Sequence, residues 1–288
     1  MAVILVQVGG SILASGMSGT AAIEAYWSRV GIGQAILDAL VALGKNLDRL
    51  TVDDLAPLDQ FHGGGKPATV RLARLAALRP DTRVLDVGGG LGGPARTLAV
   101  EFGCRVTVVD LTESYVRAAE MLTERLGLGE RVTHRVGDAL ALPFDDATFD
   151  VVWTQNSGMN IADKAALYAG FHRVLRPGGR LAFQEPMAGP VDPPIYPMMW
   201  AREPGTSFLR RPPEMLAIVE AAGFTARAWD DVTAETGGSR GGVVQHSIQR
   251  IVMGDALEAI IRAGDRNREE GRLVMVQAVF DRLEARAC

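Results

Sequence analysis

Along this chain apolar residues first recur at helical spacing and then gather into short continuous runs. Between residues 20 and 45 the apolar positions are Ile23, Tyr26, Trp27 and Val30, then Ile36, Leu37, Leu40 and Leu43. That spacing predicts two helices, parted where Gly31 and Gly33 interrupt it. A short connector is expected over 55–62, closed by Gly63-Gly64-Gly65, and Pro67 is placed to open a third helix through 78. From residue 83 the period changes. Apolar runs at 84–87, 105–109, 132–136, 149–153 and 180–184 read as strands, and the segments 94–102, 114–126 and 164–175 between them read as helices. Further on, 214–222 and 247–263 read as helices, and 224–229 and 273–280 as strands. Strands that alternate with helices predict an α/β fold, a doubly wound and mostly parallel seven-stranded sheet with helices added at the N-terminus.

One stretch breaks the alternation. Over 187–212, Pro190, Pro193, Pro194 and Pro197 alternate with Tyr196, Met198, Met199 and Trp200. It is too long for an ordinary connection and reads as a cap insertion over the site. With Tyr26 and Trp27 its apolar side chains are candidates for the wall of an acceptor pocket, against the plainer alternative of core packing. The expected organisation is a leader over 1–16, an N-terminal helical lid over 17–80 and a main domain over 81–288. The leader is apolar but too short to span a bilayer, and it lacks the basic cluster of a signal peptide.

The chain has 288 residues and a net charge of −4, a balance that argues against general nucleic-acid binding. Its two cysteines, Cys104 and Cys288, form no C-x-x-C pair. A reduced, cytoplasmic setting, no membrane span and no metal site are expected.

The candidate chemistry lies at 86–93, Asp-Val-Gly-Gly-Gly-Leu-Gly-Gly, between a predicted strand and a predicted helix. Gly88, Gly90 and Gly93 satisfy the dinucleotide spacing, and Asp110 follows twenty residues after Gly90. Asp86 weighs against a dinucleotide, because a carboxylate before the loop repels a pyrophosphate. It suits a cofactor with a positive group there, such as the ammonium and sulfonium of S-adenosylmethionine. Asp110 is placed to accept from two ribose hydroxyls, or else to cap the next helix with Thr112.

Residues 84–93 resemble motif I of the class I S-adenosylmethionine-dependent methyltransferases. Three later blocks agree in order: Gly137-Asp138-Ala139 through Phe144, Phe149-Asp150-Val151-Val152-Trp153, and Arg176-Pro177-Gly178-Gly179. Within that class the chain is similar to small-molecule enzymes of the sarcosine/dimethylglycine and sugar O-methyltransferase type, and more distantly to ubiquinone/menaquinone C-methyltransferases. The resemblance implies that Asp86, Gly88 and Gly90 lie near the methionine part, that Asp110 holds the ribose with Leu111 against the adenine, and that Asp138 and Ala139 read the adenine edge. Gln155 and Asn156 would flank the transferred methyl. Many relatives carry histidine after the fourth strand, where this chain has Asn156 and Asn160. Glu185 and His62 are then the candidate bases, with Glu185 equally readable as a solvated strand-end acid. His134 is expected to be structural, His172 a helix-surface residue, and His246 a cap or a visitor to the site. The partner implied is a small-molecule methyl acceptor. The rival is a methyltransferase-like scaffold that catalyses something else, such as a cyclisation.

Overall fold

The computed structural model describes residues 19–236 and 247–283; the expected leader, His246 and Cys288 lie outside the described residues. Four helices come first: α1 (Gly19–Trp27), α2 (Ile32–Ala42), α3 (Val52–Asp59) and α4 (Gly65–Leu75). The alternating region follows as β1 (Arg83–Val87), α5 (Gly93–Phe102), β2 (Arg105–Asp110), α6 (Glu113–Arg125), β3 (Val132–Val136), β4 (Phe149–Gln155), α7 (Lys164–Val174) and β5 (Leu175–Ala188). Then come α8 (Pro212–Ala221), β6 (Phe224–Asp231), α9 (Thr233–Thr236), α10 (Ile248–Met253), α11 (Leu257–Glu269) and β7 (Leu273–Arg282).

The seven strands form one sheet in the order β3-β2-β1-β4-β5-β7-β6. The first five are parallel, and β7 runs antiparallel between β5 and β6. The strand order reverses between β1 and β4, and a crevice opens at the carboxyl ends of the strands at such a point. Successive residues of the inner strands face opposite cores. Leu85, Val152 and Phe183 pack with Leu167 and Phe171 of α7 and Val219 of α8. Val84, Val151 and Trp153 pack with Leu72 of α4 and Leu98 of α5. This two-sided burial is why the strands read as continuous apolar runs. A third cluster joins α2 and α3 to α6 and α10 through Ile36, Leu55, Leu122 and Val252.

Several local expectations need correction. The connector expected over 55–62 is mostly helix α3. Thr51 and Asp54 close a capping box at its start, which satisfies two backbone donors and outweighs the single ladder bond lost at Pro57. The third helix starts earlier than Pro67, because Gly64 turns the chain with φ +80°. Val30 and Leu43 are exposed; α2 buries Ile32, Ile36, Leu37 and Leu40 instead. The helix expected over 247–263 is cut at Gly254, whose φ of 53° and ψ of −133° leave the helical region, and it resumes as α11. His172 is a half-buried rather than a free helix-surface residue. Its ring meets Phe224 edge-on at 5.5 Å, and Nε2 accepts from Arg282 Nε at 3.3 Å. Among the described residues no helix is long and apolar enough to cross a membrane, and no three His, Cys, Asp or Glu converge as metal ligands would.

Candidate functional site

A cavity of about 710 Å³ opens where β1, β2, β3 and β4 end, walled on its other side by α1, α11 and residues 198–208. The glycine turn after β1 shapes its floor. Gly88 and Gly90 adopt φ +72° and +51°, which only glycine takes without strain. A Cβ on Gly88 would sit 2.3 Å from the Ser157 Cβ, so Gly88 is also what lets the turn meet the loop after β4.

Asp86, one residue before the end of β1, is buried with its Oδ2 unpartnered. Burial, and then the nearby charge of Asp110, push its carboxyl up to about 8. Asp110 Oδ2 accepts from Gly90 N–H at 2.9 Å and its Oδ1 accepts from Thr112 N–H at 2.8 Å. Thr112 is the N-cap of α6, so the capping alternative for Asp110 holds only as this one support to the turn. Burial raises the Asp110 carboxyl too, opposed by those two N–H groups. Asp110 lines the cavity wall. Asp138 Oδ1 accepts from Leu140 N–H at 2.9 Å, and Leu111, Asp138 and Ala139 line the same cavity.

His62, Gln155 and Asn156 also line it, and the side chain of each is tied to protein. Gln155 Oε1 accepts from Trp153 Nε1 at 3.1 Å and from Thr69 Oγ1 at 3.0 Å. His62 Nε2 lies 2.9 Å from Gln60 Oε1 and 3.1 Å from Thr69 Oγ1, and Nδ1 lies 3.2 Å from the Gly63 carbonyl. Burial lowers its pKa to about 4, so the ring is neutral near pH 7. Asn156 takes φ +54°, a left-handed turn that asparagine tolerates. Its N–H donates to the Gln184 carbonyl at 2.8 Å, and its Oδ1 accepts from Gln184 Nε2 at 3.3 Å.

Glu185 is placed differently from both of its readings. It is 1% exposed, which removes the solvated strand-end acid, and it is not among the residues lining the cavity. Its Oε1 accepts from Ser157 N–H at 3.2 Å and Gly158 N–H at 2.8 Å beneath the loop after β4. Burial raises its pKa, while the Gly158 N–H and Lys164 oppose that.

Three supports of this wall went unread in the sequence. Lys164 Nζ donates to the carbonyls of Gly158 at 2.6 Å and Ile161 at 2.5 Å, and burial lowers its pKa to about 8. Asn160 accepts from Trp27 Nε1 at 3.3 Å and donates to the carbonyls of Trp200 at 3.0 Å and Thr206 at 2.7 Å. Arg96 of α5 pairs with Asp59 of α3 at 2.9 Å, both fully buried, and also donates to the Leu91 carbonyl in the glycine turn. Asn160 and Arg96 join residues far apart in the chain, so no local pattern announces them.

Residues 85–183 match the methyltransferase domain family. The chain is 38% identical over 132 residues to glycine/sarcosine/dimethylglycine N-methyltransferase of Actinopolyspora halophila, covering 46% of this chain and 23% of that protein. It is 42% identical over 159 residues to 2-methyl-6-phytyl-1,4-hydroquinone methyltransferase of a Synechocystis species, covering 54% of this chain and 47% of that one. The matched stretch thus spans less than half the length of these curated relatives. Geranyl diphosphate C-methyltransferase from Streptomyces coelicolor A3(2) shares the fold with a TM-score of 0.69 at 19% identity, covering 94% of this chain and 100% of that one. The [4+2]-cyclase SpnF does so with a TM-score of 0.68 at 20% identity, covering 93% of this chain and 98% of that one. The stretch that matches the methyltransferase domain family, residues 85–183, carries the glycine turn and the ends of β1 to β4.

Proposed function

We propose that this chain transfers a methyl group from S-adenosylmethionine to a small-molecule acceptor. The observation that carries the reading is Asp86: a buried carboxyl with an unpartnered oxygen, beside a glycine turn in a cavity wall. An orphaned buried oxygen calls for a donor or a cation. Asp110 adds acceptor sites at the end of the next strand for a pair of hydroxyls. These residues fit S-adenosylmethionine, which supplies an electrophilic methyl on a sulfonium.

In this reading Asp86 faces the positive methionine end, Gly88 and Gly90 leave room for it, and Asp110 accepts from the ribose. Leu111, Asp138 and Ala139 enclose the adenine. Asn156 and Gln155 present the end of β4 to the reacting side, held still by the bonds described above. His62 is a weak base near neutral pH, and Glu185 lies behind the loop rather than in the cavity. The chain's own contribution is therefore alignment and exclusion of water rather than proton abstraction. Residues 187–212 serve as the cap, and the helices of 17–80 as a lid.

The missing base is also the one feature that favours a non-methylating reaction in the same cavity, such as a cyclisation. Formation of S-adenosylhomocysteine with an acceptor panel separates the two. Methyl transfer predicts one equivalent per methylated product. Product formed without it would establish the alternative.

A further inference from the structure

Resting on the methyl-transfer reading, we infer that the acceptor is an uncharged, extended apolar molecule that carries no phosphate, carboxylate or ammonium group. The cavity has two chemically distinct halves. The glycine turn and the strand ends bring carboxyls. The opposite half is walled by Trp27, Phe61, Met159, Met198, Trp200 and Ile260.

The charges that touch the cavity are already spent. Among the described residues two basic side chains line it, Arg268 and His62. Arg268 is paired with Asp265 on the same helix. His62 is neutral, with both ring nitrogens within hydrogen-bond distance of protein partners. The two buried cations nearby are aimed elsewhere, Arg96 at Asp59 and Leu91 and Lys164 at Gly158 and Ile161. A phosphate or carboxylate brought here would lose its water and meet no unpaired cation among the described residues. Acids give a cation no better reception in the apolar half. Asp59 gives Oδ2 to Arg96 and packs its unpartnered Oδ1 against Gly93, Asp163 caps α7, Asp265 is paired with Arg268, and Asp86, Asp110 and Asp138 belong to the cofactor half. Discrimination of this kind works by leaving the wrong ligand unpaired. An uncharged apolar acceptor gives up no ionic hydration on leaving water, only that of a neutral polar group, and gains the burial.

The test uses the full chain saturated with S-adenosylhomocysteine, whose own binding is measured first by calorimetry. N-phenyl-1-naphthylamine, an uncharged fluorophore, reports the apolar half. Farnesol, farnesyl diphosphate, farnesoic acid and farnesylamine then compete for it. Farnesol is expected to displace the probe at a concentration at least about tenfold below any charged partner. Equal or better displacement by a charged partner overturns the inference, as does a probe that fails to bind the saturated chain. Absence of S-adenosylhomocysteine binding overturns instead the methyl-transfer reading, and with it the acceptor role of the cavity. Ile261→Lys, at a half-buried lining position of α11, is a second arm. It places an ammonium in the apolar half and is expected to favour farnesyl diphosphate at least about tenfold over its parent value. An unchanged order in that variant would mean that the competitors bind elsewhere, and would also overturn the inference.

Discussion

Asp86 sits beside Asp110 with an oxygen unpartnered, and burial raises its pKa from the ordinary 3.8 to about 8. A folded pKa above the unfolded one means that the ligand-free native chain binds this proton more tightly than the unfolded chain. Stability is then lost, not gained, as pH rises from about 4 to about 8. Asp86→Asn keeps the shape of the protonated acid. It is expected to melt higher than the parent without ligand, by a margin that widens over that window and levels off above it. The same change removes the partner for a cation, so S-adenosylmethionine binding should weaken by at least about tenfold, roughly 1.4 kcal/mol. Melting curves from pH 5 to 9 with calorimetry at each end check both parts, and equal melting temperatures throughout would mean that the carboxyl is not destabilised. Glu185 calls for the opposite pair of substitutions. Glu185→Gln still offers an oxygen to the Ser157 and Gly158 N–H groups, so turnover should stay within about tenfold of the parent. A true general base would cost about 10²–10⁴. Glu185→Ala orphans both N–H donors and removes the charge that faces Lys164, and should cost about 2–4 kcal/mol of stability. Denaturant unfolding of both variants, alongside turnover, tells a loop support from a base.

Among the elements, α3 and α5 are joined more closely than their sequences indicate. A Cβ on Gly93 would lie 2.3 Å from the Asp59 carbonyl oxygen, and Asp59 and Arg96 pair at 2.9 Å with no exposure. Breaking one partner leaves a buried charge, so Asp59→Ala should cost about 3–5 kcal/mol, while the double change Asp59→Leu/Arg96→Met should recover most of it. Arg96 also bonds the Leu91 carbonyl. The recovered double variant should therefore still bind S-adenosylhomocysteine less tightly than the parent, because the turn has lost its anchor. Full recovery of binding would make the pair a matter of packing alone. This contact explains much of what was legible in the chain and what was not. β1, β2, β4 and β5 were readable because burial writes apolar runs, the edge strand β3 because it falls in the same alternation although it is mostly exposed, and Asp86 and Asp110 because the turn fixes their distance from the glycines. α3 escaped notice because Pro57 and its three acids mask the helical period, although Thr51 and Asp54 carried its capping signal. Gly254 had the composition of a helix stop, but only its backbone conformation shows that the helix over 247–263 breaks there. Glu185 reads from the sequence as the end of the fifth strand, but β5 runs on to Ala188 and pairs Glu185 with Val276; its direction, away from the cavity, depends on the loop above it.

Across the whole molecule, the apolar half of the cavity is held by two asparagines that join segments distant in the chain. Asn160 takes the Trp27 indole N–H from α1 and gives its own two hydrogens to the carbonyls of Trp200 and Thr206. Asn267 of α11 accepts from Ile195 N–H at 2.8 Å and donates to the Ile195 carbonyl at 2.7 Å, so the segment before Trp200 is pinned from the other side. Phe208 N–H closes the set on the Met159 carbonyl at 2.8 Å. These bonds hold the wall opposite the glycine turn, and none touches Asp86 or Asp110. The two halves of the cavity should therefore fail separately. Asn160→Ala removes three bonds and orphans buried partners, a cost of about 2–4 kcal/mol. The loss should be local: trypsin should cut at Arg29 and Arg202 well before global unfolding, and the uncharged probe should bind at least about tenfold more weakly. S-adenosylhomocysteine affinity should stay within about threefold of the parent. Asn160→Asp keeps an acceptor for Trp27 but turns a carboxylate toward two carbonyls, so it should rescue nothing at Trp200. Limited proteolysis in parallel with the two binding assays checks this. A variant that lost both ligands together would show that the wall and the glycine turn form one cooperative unit.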